Sequence, residues 1–510
     1  MPDANIVVSP NNVIAPVNRR LFGSFVEHLG RCVYGGIYEP THPTANEDGF
    51  RMDVVDLVKE LGASTFRYPG GNFVSGYRWE DGVGPRESRP RRRDLAWHSL
   101  ETNQVGVDEF VRWAALSNSE VMMAVNLGTR GIEAALDLLE YCNDAGGTSL
   151  SDQRAANGST QPHNIRMWCL GNEMDGPWQV GHMSAEDYGS LASRTAAAMK
   201  MADPDLELVL CGSSASSMPT FGEWERVSLE QAYDYVDYIS CHAYYQERGG
   251  DLATFLASSL DMQHFITTVV TTADHVKHKL RKTKTINLSF DEWNIWYLDA
   301  EAEASADRAR TDGPWPYAPR LLEDVYTVAD AVVLGSLLIT LLKNIDRVGS
   351  ASLAQLVNVI APIMTAPDGP AWKQTTFHPF STTARLADGK VVSPEITVGT
   401  YDTAAYGSVP LVDAVATFNE ETARAAIFLV NRHLTDALTV TIDVHELAAA
   451  KIVEALTLAD DDVYATNTQD HPTRVTPSTN ANVLLSDGVV TITLPPVSWT
   501  AVSLDGQRRG

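Results

Sequence analysis

Ile165-Arg166-Met167-Trp168-Cys169-Leu170-Gly171-Asn172-Glu173 is a short, mostly apolar run that ends in an amide and a carboxylate. It reads as a buried strand handing Asn172 and Glu173 to a loop of turn residues, Met174-Asp175-Gly176-Pro177-Trp178-Gln179. A second run, Ile286-Asn287-Leu288-Ser289-Phe290-Asp291-Glu292-Trp293-Asn294, has the same shape: an apolar strand closing on a carboxylate. The rest of the chain is expected to bring Glu173 and Glu292 face to face.

Outward from this pair, strand-like runs recur at 21–27, 64–68, 121–127, 165–170, 207–211, 238–242, 286–290 and 353–359. Helical periodicity fills the intervals, as at 53–61, 107–116, 187–201 and 255–280. Eight such βα units are the arithmetic of a (β/α)₈ barrel with insertions. A doubly wound open sheet would place a Gly-rich phosphate turn after its first strand, and none is present. Past residue 380 the alternation stops. Short β runs at 412–418, 425–431, 438–443, 452–458 and 489–494, separated by turn residues, predict a second, all-β sandwich domain of jelly-roll type. The first 17 residues hold one or two strands too short to fold alone, and they are expected to pair with that sandwich. The predicted division is a barrel at 18–378 and a sandwich made of 1–17 and 379–510.

The composition bounds the partners. The 510 residues carry 39 basic and 65 acidic side chains, a net charge of −26, which disfavours nucleic acid, anionic membrane surfaces and polyanionic substrates. The apolar run at 332–342 is too short to cross a bilayer and reads as a buried helix. The start of the chain lacks the basic and apolar regions of a signal peptide. Five cysteines, without the spacing of a zinc or redox motif, read as reduced thiols in apolar strands. Together these imply a cytoplasmic protein with no metal or other cofactor. The basic run 89–93 reads as a solvated or carboxylate-paired loop.

In a barrel of this kind the chemistry collects where strands end. The strand ends here offer Glu27-His28, Arg67-Tyr68-Pro69-Gly70-Gly71-Asn72, Asn126, Asn172-Glu173, His242-Ala243-Tyr244-Tyr245, Glu292-Trp293-Asn294 and Gln355. Individually each has an ordinary reading. A strand-end glutamate is more often an ion-pair partner than a catalyst, Glu27 can pair with Arg67, His242 can be a core histidine, and Trp97 and Trp296 can be packing residues. Their coincidence is what carries weight: a ring of hydrogen-bonding groups beside aromatics suits a small, neutral, hydroxyl-rich ligand. Two carboxyls on the fourth and seventh strands can converge across the mouth. Glycoside cleavage needs such a pair, one to protonate the leaving oxygen and one to attack the sugar or activate water.

The blocks FGSFVEH at 22–28, FRYPGGNFVSGYRWEDGVGP at 66–85, WCLGNEMDGPWQ at 168–179, CHAYY at 241–245, LSFDEWNIWY at 288–297, LAQLVNVIAPI at 353–363 and GPAWKQT at 369–375 resemble glycoside hydrolase family 51. That family comprises intracellular, exo-acting α-L-arabinofuranosidases of the barrel-fold retaining clan. The resemblance implies Glu173 as acid/base and Glu292 as nucleophile. It implies that Glu27, Asn72, Asn172, Tyr244 and Gln355 surround the furanose, that Trp97 and Trp296 wall it, and that Arg67 and His242 support the carboxylates. It further implies an arabinofuranosyl oligosaccharide substrate and a homo-oligomer, a hexamer. A β-xylosidase or endo-glucanase of the same clan would share both glutamates. A silent carbohydrate-binding protein would have no need of them. The segment 299–319 matches nothing in the family pattern and is expected to shape the leaving-group side.

Overall fold

The computed structural model describes residues 3–298 and 313–506. Most of the 299–319 segment therefore lies outside the described residues. In chain order the first strands are β1 (Ala4–Val7), β2 (Val13–Pro16), β3 (Gly23–Phe25), β4 (Thr65–Tyr68) and a hairpin, β5 (Arg92–Asp94) with β6 (Ser99–Glu101). Then follow β7 (Glu120–Val125), β8 (Met167–Leu170), β9 (Glu207–Leu210), β10 (Tyr238–Tyr245), β11 (Asn287–Ile295) and β12 (Val348–Ala354). Strands β3, β4 and β7 to β12 close into an eight-stranded barrel in which neighbours pair in parallel.

Local sequence explains the barrel's parts. The helix Met52–Leu61 buries Val54, Val55, Val58 and Leu61, an apolar stripe at helical spacing. Gly62, at φ 78°, ends it by returning its N–H to Val58 and Lys59 carbonyls, a conformation that favours glycine. The expected helix at 255–280 is two helices, Leu252–Leu256 and Ser259–Lys279, with a break at 257–258.

The eighth strand is displaced from expectation. It runs through the small residues of Val348–Ala354, and Val357 and Val359 belong to the loop that follows. Closure is the reason: a Cβ on Gly23 would lie 2.5 Å from the Ala351 carbonyl, so the first and last strands meet too closely for bulky side chains. β-propensity pointed to the later valines, and packing overrode it.

Most of the remaining strands form two packed sheets, one of five strands and one of seven, and the others pair as two-stranded hairpins. The N-terminal strands are part of both. β1 pairs with Glu395–Val398 and Leu438–Asp443, and β2 pairs with Lys390–Val392. The strand Arg424–Asn431 shows how the sandwich meets the barrel. Its alternate residues Ala425, Ile427 and Leu429 fill the space between the sheets, while Ala426, Phe428 and Val430 join the barrel's core. The element received there is Val328–Lys343, the helix expected from the 332–342 run, which is buried nearly all round. Gly335 in its middle lets the Trp499 ring lie against the backbone, since a Cβ there would sit 2.2 Å from the ring. Among the described residues no helix is long and apolar enough to cross a membrane, and all five cysteines are free and buried.

Candidate active site

Glu173 follows β8 by three residues and holds a left-handed backbone, φ 43°. Gly171, at φ 92°, opens that turn. A non-glycine residue in this region stores roughly 1–3 kcal/mol of strain, a feature that gathers at functional sites. The carboxyl is held at both oxygens: Oε1 stands 2.9 Å from His242 Nδ1, and Oε2 accepts the Trp178 indole N–H at 2.7 Å.

Glu292 lies within β11, where the ladder to β10 slips register between the pairs Ser240–Ser289 and His242–Glu292. Such a bulge re-aims side chains that strict alternation would send to opposite faces. Asp291 and Glu292 consequently both serve the site. Asp291 Oδ1 is 3.0 Å from His242 Nε2, and Glu292 Oε2 is 3.6 Å from His242 Nδ1. Arg67 Nη1 donates to Glu292 Oε1 at 2.5 Å and Nη2 to Asn172 Oδ1 at 2.6 Å. Tyr244 donates to Glu292 Oε2 at 2.7 Å. One donor atom each from Glu173, His242 and Glu292 fall within 4.8 Å of one another, so the two carboxyls face each other across a gap shorter than two water diameters.

Glu27 does not pair with Arg67. Its Oε1 accepts the Phe73 backbone N–H and the Trp97 indole N–H, both at 2.8 Å, and its Oε2 accepts from Gln355 Nε2 at 3.2 Å. Gly70 and Gly71 are more than a turn: a Cβ on Gly71 would come within 2.5 Å of Glu27 Oε2. Asn172 Nδ2 donates to Asn72 Oδ1 at 3.2 Å, which ties the amides of two strand ends together. Trp296 meets the Tyr244 ring edge-on at 4.9 Å, and its indole nitrogen is buried with no hydrogen-bond partner among the described residues. The structure thus gathers Glu27, Arg67, Asn72, Trp97, Asn172, Glu173, His242, Tyr244, Glu292, Trp296 and Gln355 at one end of the barrel. Asn126 is not among them; its side chain serves the Tyr77 carbonyl and its own turn.

Burial dominates the electrostatics. It would pull the His242 imidazole down, but Glu292, Asp291 and Glu173 outweigh it and push it up to about 10. Burial raises the Glu292 carboxyl and the Glu173 charge adds to that, against the opposing pull of His242 and Arg67. Glu27 is raised to about 8 by burial, against the hydrogen bonds from Phe73 and Trp97. Two contributors escaped the sequence reading, Trp178 and Asp291. Both stood inside quoted motifs, but only the bulge in β11 and the fold-back of the 174–179 loop bring them in. Glu292 has Arg67 and Tyr244 on its two oxygens, so the Glu173–His242–Glu292 cluster is built for proton chemistry rather than metal ligation.

A parallel eight-stranded barrel with two facing carboxyls at the strand ends, ringed by amides, a tyrosine and indoles, defines a barrel glycoside hydrolase. Comparison with known proteins narrows the class. Residues 57–278 match the α-L-arabinofuranosidase 1 domain, and residues 291–498 match the α-L-arabinofuranosidase C-terminal domain. The chain belongs to the family 51 α-L-arabinofuranosidases. It is 57% identical to an exo-α-(1→6)-L-arabinofuranosidase of Bifidobacterium longum, over 98% of this chain and 97% of that one. It is 54% identical to an intracellular exo-α-(1→5)-L-arabinofuranosidase of the same organism, over 99% and 93%. Among solved structures, a family 51 α-L-arabinofuranosidase of Bifidobacterium longum superposes with a TM-score of 0.95 at 55% identity, covering 99% of this chain and all of that one.

Proposed function

We propose that this enzyme releases terminal, non-reducing α-L-arabinofuranose from arabinose-containing oligosaccharides by a retaining double displacement. Glu292 is the nucleophile and Glu173 the acid/base. The observation that supports the mechanism is that one oxygen of each carboxyl lies within 4.8 Å of the other, nearer the separation of direct attack (about 5–5.5 Å between carboxyls) than the one that admits a water (about 6.5–9.5 Å). Glu292 attacks the anomeric carbon while Glu173 gives a proton to the departing glycosidic oxygen. Water then attacks the arabinosyl ester, with Glu173 taking its proton.

Two carboxyls this close do not both ionise freely. Arg67 and Tyr244 donate to both Glu292 oxygens and so favour the carboxylate that attacks. His242 keeps one proton toward Asp291, and its Nδ1 proton faces Glu173 Oε1, so Glu173 can be reloaded as an acid. In this reading Glu27, Asn72, Asn172, Tyr244 and Gln355 bind the furanose hydroxyls between Trp97 and Trp296. Hydrogen bonds from Asn172 to the 2-hydroxyl would strengthen in the transition state.

The linkages follow from the relatives: α-(1→5) and α-(1→6) arabinofuranosides are the substrates to try first. The α-(1→5) relative, named as intracellular, supports an intracellular enzyme. We take residues 18–378 as the catalytic unit, 1–17 with 379–510 as its sandwich, and the assembly as a hexamer, which light scattering after size-exclusion chromatography tests directly. The decisive experiment is hydrolysis of an aryl α-L-arabinofuranoside by wild type and Glu292→Gln, with the first product's anomeric configuration followed by NMR. Retention with loss of turnover in the variant is expected. An inverted first product overturns the mechanism, and cleavage of an aryl β-xyloside in place of the arabinofuranoside overturns the substrate.

A further inference from the structure

The basic run at 89–93 is unusual in a chain of net charge −26, and the pairing of the two carboxyls makes no use of it. Its arginines divide sharply. Arg89 is bound to Glu109 at 2.9 Å, and Arg92 to Asp81 at 2.8 Å. Arg93, on strand β5, has no carboxylate partner among the described residues, and its guanidinium lies 5.4 Å from the centre of the Trp315 ring. Trp315 is stacked in turn on His98, at 4.1 Å. Arg78, in the connection after β4, likewise has no ion pair among the described residues. Arg78 and Arg93 line one cavity of about 180 Å³, far larger than a water needs, with Leu95 as an apolar flank. The carboxylates of that cavity are already committed. Asp81 holds Arg92, Asp94 accepts the Ala96 and Trp97 backbone N–H groups, and Glu101 holds His28 and Tyr34.

The cavity lies on the catalytic face, because it is built from the connection that follows β4. It also shares structure with the furanose pocket. Phe73 lines it and donates its N–H to Glu27, while Asp94 lines it and holds the turn bearing Trp97. Two uncommitted guanidiniums beside an apolar flank match a carboxylate carried on a sugar ring, since a guanidinium fork binds a carboxylate with two parallel N–H bonds.

We propose that this cavity binds a uronic acid residue on the leaving-group part of the substrate, so that the enzyme favours arabinofuranosyl oligosaccharides bearing a hexuronate. The inference rests on the hydrolase reading above. Guanidinium–carboxylate contacts at an accessible site are expected to raise kcat/KM for a uronate-bearing substrate by roughly three- to tenfold over its neutral counterpart.

The experiment compares kcat/KM on an arabinofuranosyl xylo-oligosaccharide with and without a glucuronate branch, for wild type, Arg78→Gln, Arg93→Gln and the double variant, at low salt and at 0.5 M NaCl. The expected result is a wild-type preference for the charged substrate that collapses in the double variant and at high salt, with neutral-substrate turnover unchanged. Equal rates on both substrates, or a preference that survives the double variant, overturn the uronate site while leaving the hydrolase intact. Failure to cleave an aryl α-L-arabinofuranoside run alongside would instead count against the proposed function.

Discussion

The Trp178 indole donates to Glu173 Oε2 at 2.7 Å although about half of the Trp178 side chain is open to solvent. A carboxyl otherwise enclosed by His242 is thus reached from the solvent side through one aromatic residue. Gly176 makes the arrangement fit, for a Cβ there would sit 2.5 Å from the indole. Replacing Trp178 by Phe keeps an aromatic ring, though a smaller one, and removes the donor. With Glu173 as the acid/base proposed above, the expected loss is roughly tenfold in kcat/KM for substrates with poor leaving groups, because a hydrogen bond lost to such a group costs on that scale. Aryl arabinofuranosides with nitrophenol leaving groups, which need little protonation, should be nearly unaffected. A series of aryl leaving groups measures the difference, and a uniform loss across the series would show that Trp178 acts on binding instead.

Glu27 supplies the pH prediction. Its carboxyl is raised from 4.5 to about 8 by burial, so the folded protein holds that proton more tightly than the unfolded chain. Stability should therefore decline as pH rises from about 4.5 toward about 8, where the folded group ionises. Ionisation also places a new negative charge near Glu292. Wild-type kcat/KM is expected to fall on the alkaline side with a step near 8, and Glu27→Gln, although less active, should lack that step. Paired pH–rate profiles of the two proteins decide the point.

Arg67 is buried, and its guanidinium spans Glu292 and Asn172 with a further approach of 3.8 Å to Asp291. Arg67→Lys retains the charge but not the fork, and urea unfolding should show a loss of about 1–3 kcal/mol as Asn172 loses its donor. Arg67→Ala strands two buried carboxylates and is expected to lose about 3–5 kcal/mol. The order of the two variants is the informative result. Equal losses would mean that charge alone matters at this position.

Gly335 tests the seam between barrel and sandwich. A methyl group there would meet the Trp499 ring at 2.2 Å, in a helix buried nearly all round. Gly335→Ala gains helix propensity, yet overpacking should dominate and destabilise the protein by about 1–3 kcal/mol. Thermal unfolding reads the change. A neutral or stabilising outcome would show that the sandwich can shift away from the helix without cost.

Much of the architecture was legible because barrel strands are short, apolar and separated by amphipathic helices. The strand around Met167–Leu170 and the helix Val107–Leu116 stand where periodicity placed them. The eighth strand was misplaced because propensity favours Val357 and Val359, whereas closure of the ring demands the small residues 349–352. The 255–280 helix was read through a break that its apolar pattern does not reveal.

The chain by itself pointed to most of the side chains gathered at the strand ends, though not to Trp178 or Asp291, since strand-end position and residue type are written locally. Only the tertiary structure decided how they engage. Arg67 went to Glu292 and left Glu27 to the Phe73 backbone, the Trp97 indole and Gln355, and a one-residue slip in β11 brought Asp291 in beside its neighbour. The approach of Glu173 to within 4.8 Å of Glu292 joins residues 119 positions apart, and it depends on the curvature and stagger of the closed barrel. Those are collective properties of eight packed strands, which no single stretch of sequence encodes.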